Sequence, residues 1–191
     1  MPAVRKWTWA ALALLLCVAF AHFCVRIVPG DAPADTPVSA GEGAVREGRL
    51  LIPVEGVPPS ALVDTFTQAR ESGVRTHDAI DIMAARGRAV LAAADGRIER
   101  IRWSGRGGRT IYQRSADDAH VYYYAHLDAY APGLKEGQAV RRGQRLATVG
   151  STGNADPAGP HLHFEVHEMG VGDPWYRGRP VNPYPLLTAQ D

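Results

Sequence analysis

The run His161-Leu162-His163-Phe164-Glu165-Val166-His167 alternates strictly between polar and apolar side chains. Successive side chains of a β-strand point to opposite faces, so a period of two predicts a strand here. Leu162, Phe164 and Val166 then turn towards a core, and His161, His163, Glu165 and His167 share the other face. Two imidazoles two residues apart on a rigid strand can address one metal site. A solvated polar face gives the same alternation, so the pattern alone does not choose between them.

Working outward, the chain breaks into short β-prone runs divided by turn residues. Arg145 to Val149 reads as a strand, and Ser151 to Pro160 as the loop that joins it to His161. Thr110 to Arg114 and Val121 to His126 form a pair rich in β-branched and aromatic residues. Arg97 to Trp103 is a further strand, turned by Gly105-Arg106-Gly107-Gly108. Val90 to Ala93 runs into Asp95-Gly96, a dipeptide that signals a tight hairpin. Leu50 to Val54 predicts an edge strand stopped by Pro58-Pro59. Ser60 to Arg70 predicts a short helix with Ser60 as N-cap and Leu62, Phe66 and Ala69 on one face. The expected domain is mainly β, an antiparallel β-sheet with little helix, and has no repeat of solenoid length.

Cys17 and Cys24 both lie in the apolar N-terminal segment, so a metal in the folded domain must be held by histidine and carboxylate. His77 and Asp81 stand four apart, which brings them to one side on a helix or a strand alike. Ile80, Ile82 and Met83 flank Asp81, and a carboxylate buried in such a run needs a partner. A metal ion would serve, and so would a plain ion pair. His126 closes the aromatic strand Tyr122-Tyr123-Tyr124-Ala125. Two histidines and one carboxylate make the ligand set of a catalytic zinc site with a position left for water. Nitrogen and oxygen donors without sulfur suit zinc better than copper(I) or an iron–sulfur cluster. Zinc brings the pKa of its water to about 7, and further histidines could take the water's proton or stabilise an oxyanion. His22 and His120 receive no role.

The formal net charge is +1, which gives no footing for electrostatic capture of nucleic acid. Arg5 and Lys6 precede an uncharged run from Trp7 to Val25 that Arg26 closes. This is the layout of an export signal or a membrane anchor with its N-terminus in the cytoplasm and the domain outside. Ala19-Phe20-Ala21 offers a cleavage site, while the apolar stretch continues to Val28 as an uncleaved helix would. The expected organisation is a signal peptide or anchor over 1–28 and a Gly/Pro/Ala-rich flexible linker over 29–48. An N-terminal extension over 49–72 would pack on a domain over 73–188.

Arg75-Thr76-His77-Asp78-Ala79-Ile80-Asp81-Ile82, Tyr124-Ala125-His126-Leu127 and Gly159-Pro160-His161-Leu162-His163-Phe164-Glu165, in this order, resemble the motifs of the lysostaphin-like (LytM-type) zinc endopeptidases, the M23 peptidase family. The resemblance spans roughly Gly73 to Leu187. It implies a LytM-type antiparallel sheet related to barrel-sandwich hybrids, with zinc bound by His77, Asp81 and His163. It also implies that His126 and His161 are catalytic. Peptidoglycan stem peptides or cross-bridges would be the substrate, which agrees with export to the cell envelope. Ala79 departs from the glycine that many members carry, which leaves the backbone there less free. All five metal and catalytic positions are present, unlike in degenerate members that activate other hydrolases.

Two other readings compete. Leu134-Lys135-Glu136-Gly137-Gln138-Ala139-Val140 also resembles biotinyl or lipoyl carrier domains, but such carriers need a lysine at a hairpin tip and none follows Lys135. A non-catalytic LytM-type module that regulates another envelope hydrolase is the stronger rival. Binding alone would not call for His126 and His161.

Overall fold

The computed structural model describes residues 50–70 and 75–189. The expected signal or anchor and the linker, with the N-terminal hydrophobic helix, lie outside the described residues. Among the described residues, no helix is long and apolar enough to cross a membrane.

The strands in chain order are β1 (Ala69–Arg70), β2 (Arg75–Thr76), β3 (Ile80–Met83), β4 (Ala89–Leu91), β5 (Gly96–Ser104) and β6 (Gly108–Ser115). They continue with β7 (His120–Tyr130), β8 (Ala139–Val140), β9 (Arg145–Val149), β10 (His161–Glu168) and β11 (Arg179–Val181). A 3₁₀ turn (Pro59–Ala61) precedes them, and a short helix α1 (Pro183–Thr188) follows, capped by the Asn182 side chain on the Tyr184 amide. β1 and β2 pair by themselves; the other strands form a nine-stranded sheet with the central order β11-β10-β7-β6-β5-β8. Every pairing is antiparallel, as the sequence led one to expect. β10 is the pivot: β7 lies along one side, while β3 and then β11 share the other.

The alternation of β10 holds. Leu162, Phe164 and Val166 are completely buried, and the residues between them are half-buried on the other face. Ile80 and Ile82 of β3, Tyr124 of β7 and Ile111 of β6 join them in one core, closed below by Leu187 of α1 and by Val54 and Leu62. A polar bridge crosses this core. The Tyr124 hydroxyl donates to Gln113 Oε1 (2.7 Å) and accepts from the Ala93 amide (3.0 Å), and Gln113 Nε2 donates to the Ala94 carbonyl (2.7 Å).

Three local expectations fail. Val90 to Ala93 and Arg97 to Trp103 do not form a hairpin across Asp95-Gly96, because β4 pairs with β9 and β5 with β6 and β8. Asp95-Gly96 instead carries the chain from β4, paired with β9, to β5, paired with β6 and β8, with Gly96 so close to the Arg114 carbonyl that a Cβ would lie 2.0 Å from it. The helix expected over Ser60 to Arg70 is only the 3₁₀ turn, followed by extended chain into β1. Leu50 to Val54 is an edge segment rather than a full strand: Leu51 donates to Ala93 O and Leu91 to Pro53 O, and Pro53 itself has no amide to offer.

Candidate metal centre

The polar face of β10 looks into a cleft of about 530 Å³ on the side of the sheet away from the core. Its rims are the chain before β3 (Thr76 to Asp78), the β5–β6 turn (Ser104, Arg106, Gly107) and the loop before β10 (Asn154 to Asp156). His77, Asp81, His126, His161 and His163 all line it. The sequence-predicted side chains, separated by up to 86 positions along the chain, therefore meet in one place.

Cross-strand pairing does most of this. Asp81 of β3 lies directly opposite His163 of β10, and Ala125, next to His126, lies opposite His163 on the other side. His77 reaches the same point because its backbone pairs with Thr67 and Gln68. His77 Nε2, Asp81 Oδ1 and His163 Nδ1 form a triangle with every side 3.1 Å. Donor atoms around a tetrahedral zinc at about 2.1 Å stand roughly 3.4 Å apart, so the triangle has the right size.

The outward nitrogens set the chemistry of the inward ones. His77 Nδ1 donates to the Thr65 carbonyl (2.9 Å), and His163 Nε2 donates to Glu165 Oε1 (2.8 Å). Each inward nitrogen thus presents a lone pair, towards an anionic Asp81 oxygen. Three acceptors at this distance repel one another unless a proton or a cation sits among them: in the metal-free chain a proton on His163 Nδ1 does so, and a divalent metal would take its place. The second arrangement is a carboxylate–histidine pair of the kind that orients metal ligands. Glu165 in turn accepts from His167 Nε2 (2.5 Å).

Electrostatics follow from these contacts. Burial opposes the Asp81 carboxylate, but hydrogen bonds from His163 and His77 outweigh it and hold the carboxyl well below the usual range. Burial likewise opposes a charged His163, yet Asp81 and Glu165 lift its pKa to about 9. Glu165 is brought to about 2 by His163 and His167 against its own burial.

His126 and His161 stand apart from the triangle. Their rings are 4.9 Å apart, centre to centre, and His161 Nε2 is 3.8 Å from Asp81 Oδ1. His126 Nδ1 donates to Thr152 O and His161 Nδ1 to Gly159 O, each at 2.8 Å, which leaves both Nε2 atoms as acceptors. Burial pushes the His126 pKa down to about 4, so its ring is neutral near pH 7. The Thr152 loop can approach because of two glycines: a Cβ on Gly108 would lie 2.1 Å from Thr152 Oγ1, and one on Gly153 2.0 Å from Arg106 O. Ala79 is fully buried without a positive φ, so its side chain is accommodated without backbone strain.

Sequence reasoning passed over Thr65, which it placed in a helix, and the roles of Glu165 and His167 on a face it did identify. It also missed an aromatic row leading away from the centre. Tyr123 meets His163 edge-on at 6.0 Å and packs on Tyr112 at 4.7 Å, which packs on Trp175 at 4.5 Å. Three successive tyrosines, Tyr122 to Tyr124, offer no alternation that would single out Tyr123, and nothing local announced Trp175. Met83, read as an apolar neighbour that helps to bury Asp81, is 61% exposed. Asp81 gains its seclusion from His77, His161 and His163 instead.

The sequence model of peptidase family M23 matches residues 75–183. Among curated proteins, the chain is 36% identical over 122 residues to the L-Ala–D-Glu endopeptidase of Bacillus subtilis, covering 61% of this chain and 36% of that protein. It is 31% identical over 177 residues to the murein hydrolase activator NlpD of Salmonella dublin, covering 86% of this chain and 42% of that protein. The chain thus spans about two fifths of these relatives' length. Among solved structures, the catalytic domain of the antimicrobial peptidase lysostaphin from Staphylococcus simulans aligns with a TM-score of 0.56 at 27% identity, over 67% of this chain and 92% of that one. A zinc-containing peptidase from Vibrio cholerae aligns with a TM-score of 0.53 at 28% identity, over 68% and 36%.

Proposed function

The chain belongs to peptidase family M23, and from that premise we propose that it is a zinc-dependent endopeptidase of the cell envelope. It hydrolyses peptide bonds in peptidoglycan stem peptides or cross-bridges, outside the cytoplasmic membrane. The observation that carries this reading is the division of labour in the cleft: three inward acceptors 3.1 Å apart, with two more histidines beside them whose Nε2 atoms are left over.

In this reading His77 Nε2, Asp81 Oδ1 and His163 Nδ1 would hold the zinc, whose chemistry when bound would be to acidify a water and polarise the scissile carbonyl. His126, kept neutral by burial, accepts the proton of the attacking water at Nε2. His161, whose ring meets that of His126 edge-on, acts in its doubly protonated form: Nδ1–H stays on Gly159 O, and Nε2–H bonds the developing oxyanion or passes its proton to the leaving amine. Glu165 holds the His163 ring in the tautomer that frees Nδ1. Amide hydrolysis then proceeds without a covalent intermediate.

The purified chain with zinc should release new peptide termini from isolated peptidoglycan, read by mass spectrometry, and EDTA or His163→Ala should abolish the release. Zinc-loaded chain that leaves all stem and bridge peptides of several bacterial peptidoglycans intact would contradict it. That outcome would favour the second reading, a regulatory module. The similarity to an activator over 86% of this chain is what keeps the second reading in view.

A further inference from the structure

We propose that Thr65, which lies before the region matched to the family, is the positioning residue that shapes the metal loop from outside. One residue engages three points of that loop. Its carbonyl accepts from His77 Nδ1 (2.9 Å), its hydroxyl oxygen accepts the Asp81 amide (3.0 Å), and its hydroxyl hydrogen points to the Ala79 carbonyl (3.5 Å). The span from His77 to Asp81 is thereby fixed at both ends and in the middle.

Each bond has a consequence at the centre. The carbonyl selects the Nδ1–H tautomer of His77, so that Nε2 is the atom offered to a metal. The hydroxyl sets the Asp81 backbone, and with it the position of Oδ1 at 3.1 Å from both histidine donors. Thr65 is itself held. Its carbonyl also accepts from the Gln68 amide (3.2 Å) and Phe66 N donates to Asp64 Oδ1 (3.1 Å). Asn182 Nδ2 ties Asp64 Oδ2 to the chain before α1 (3.0 Å). Thr67, at φ 65°, turns the chain so that it and Gln68 bracket the His77 backbone. Leu62 anchors the start of the segment in the core. The segment before the family region is therefore the floor of the metal loop, and among the described residues none from 50 to 70 lines the cleft.

This inference rests on the metal reading of the site, and the test separates the two. Zinc affinity of the full chain is measured by competition with a chromophoric chelator for the wild type, Thr65→Val and Thr65→Ser, with the cobalt(II) absorption spectrum as a readout of ligand geometry. Valine keeps the shape and removes the hydroxyl, which leaves the Asp81 amide without its acceptor. Thr65→Val should weaken zinc by about 10–100-fold and alter the cobalt spectrum, and Thr65→Ser should restore both. Equal affinities in wild type and Thr65→Val, or a serine variant as weak as valine, overturn the role of Thr65. A wild type that takes up no zinc overturns the metal reading instead. A variant-free check covers a valine chain that fails to fold: ¹H–¹⁵N correlation on zinc-loaded wild type should place the His77 proton on Nδ1, and a proton on Nε2 contradicts the proposal.

Discussion

His126 accepts two costs that an ordinary strand residue avoids, a buried imidazole and a left-handed backbone at φ 60°. Its amide donates to Gly107 O at 2.7 Å, so the conformation is held by the β5–β6 turn. Non-glycine residues lose about 1 kcal/mol in this region. His126→Gly should therefore be more stable than His126→Ala by about 1 kcal/mol in urea denaturation, while neither cleaves peptidoglycan. Equal stabilities would deny the strain. Titration adds a second expectation for the metal-free chain. His126, at about 4 when folded against an ordinary 6.5, leaves the unfolded chain with the extra proton, so stability falls as pH drops from 6.5 towards 4. His163, at about 9, has the opposite sign: its contribution is complete below 6.5 and is lost as pH rises to about 9. The urea midpoint of EDTA-treated chain should decline across that alkaline window, and His163→Ala should flatten the decline. Matching slopes in the two proteins would contradict the assignment.

At the scale of elements, β10 is where local pattern and tertiary role agree. Phe164 is fully buried against Tyr124, and Phe164→Ala should cost about 3–5 kcal/mol of unfolding free energy. Met83→Ala, on the exposed side of the neighbouring β3, should change it by less than about 0.5 kcal/mol. Comparable losses at both positions would mean that the faces are assigned wrongly. The strict alternation of 161–167 made β10 legible, because one buried face dictates a period of two whatever the partner strands are. It also put His161 and His163 together, and family motifs separated their roles. What failed depended on partners. Asp95-Gly96 has the chemistry of a hairpin turn, but Val90 finds its partner in Ala147 of β9, distant in sequence. Leu62, Phe66 and Ala69 fit a helical face, but Thr67 takes φ 65°, which a helix does not allow, and the Thr67 amide and Gln68 carbonyl pair with the His77 backbone. Ile98 and Ile101 would point to opposite faces of a regular strand; a bulge between Ile98 and Arg100 turns both towards the core.

Over the described part of the molecule, one face of the sheet is spent on the core and the other on the cleft. The described residues before the family region enter the core through Val54 and Leu62 and support the span from His77 to Asp81 through Thr65, and none of those from 50 to 70 lines the cleft. Tyr112 and Trp175 continue the aromatic row from Tyr123, which lines the cleft, and Arg114 secures the loop that carries Trp175 by bonding Asp173 O (2.9 Å) and pairing with Glu99. Such a plan suits a long peptide laid across the centre, whether the chain cuts it or holds it for another hydrolase. In the proposed hydrolytic reading the metal ligands and the proton carriers would be distinct sets of side chains. The most direct test is the zinc content of the purified chain and its single alanine variants, by elemental mass spectrometry after exhaustive dialysis. Wild type, His126→Ala and His161→Ala should each retain a single zinc equivalent, and His77→Ala, Asp81→Ala and His163→Ala should lose it. Zinc retained by His163→Ala, or lost from His126→Ala, would contradict that division.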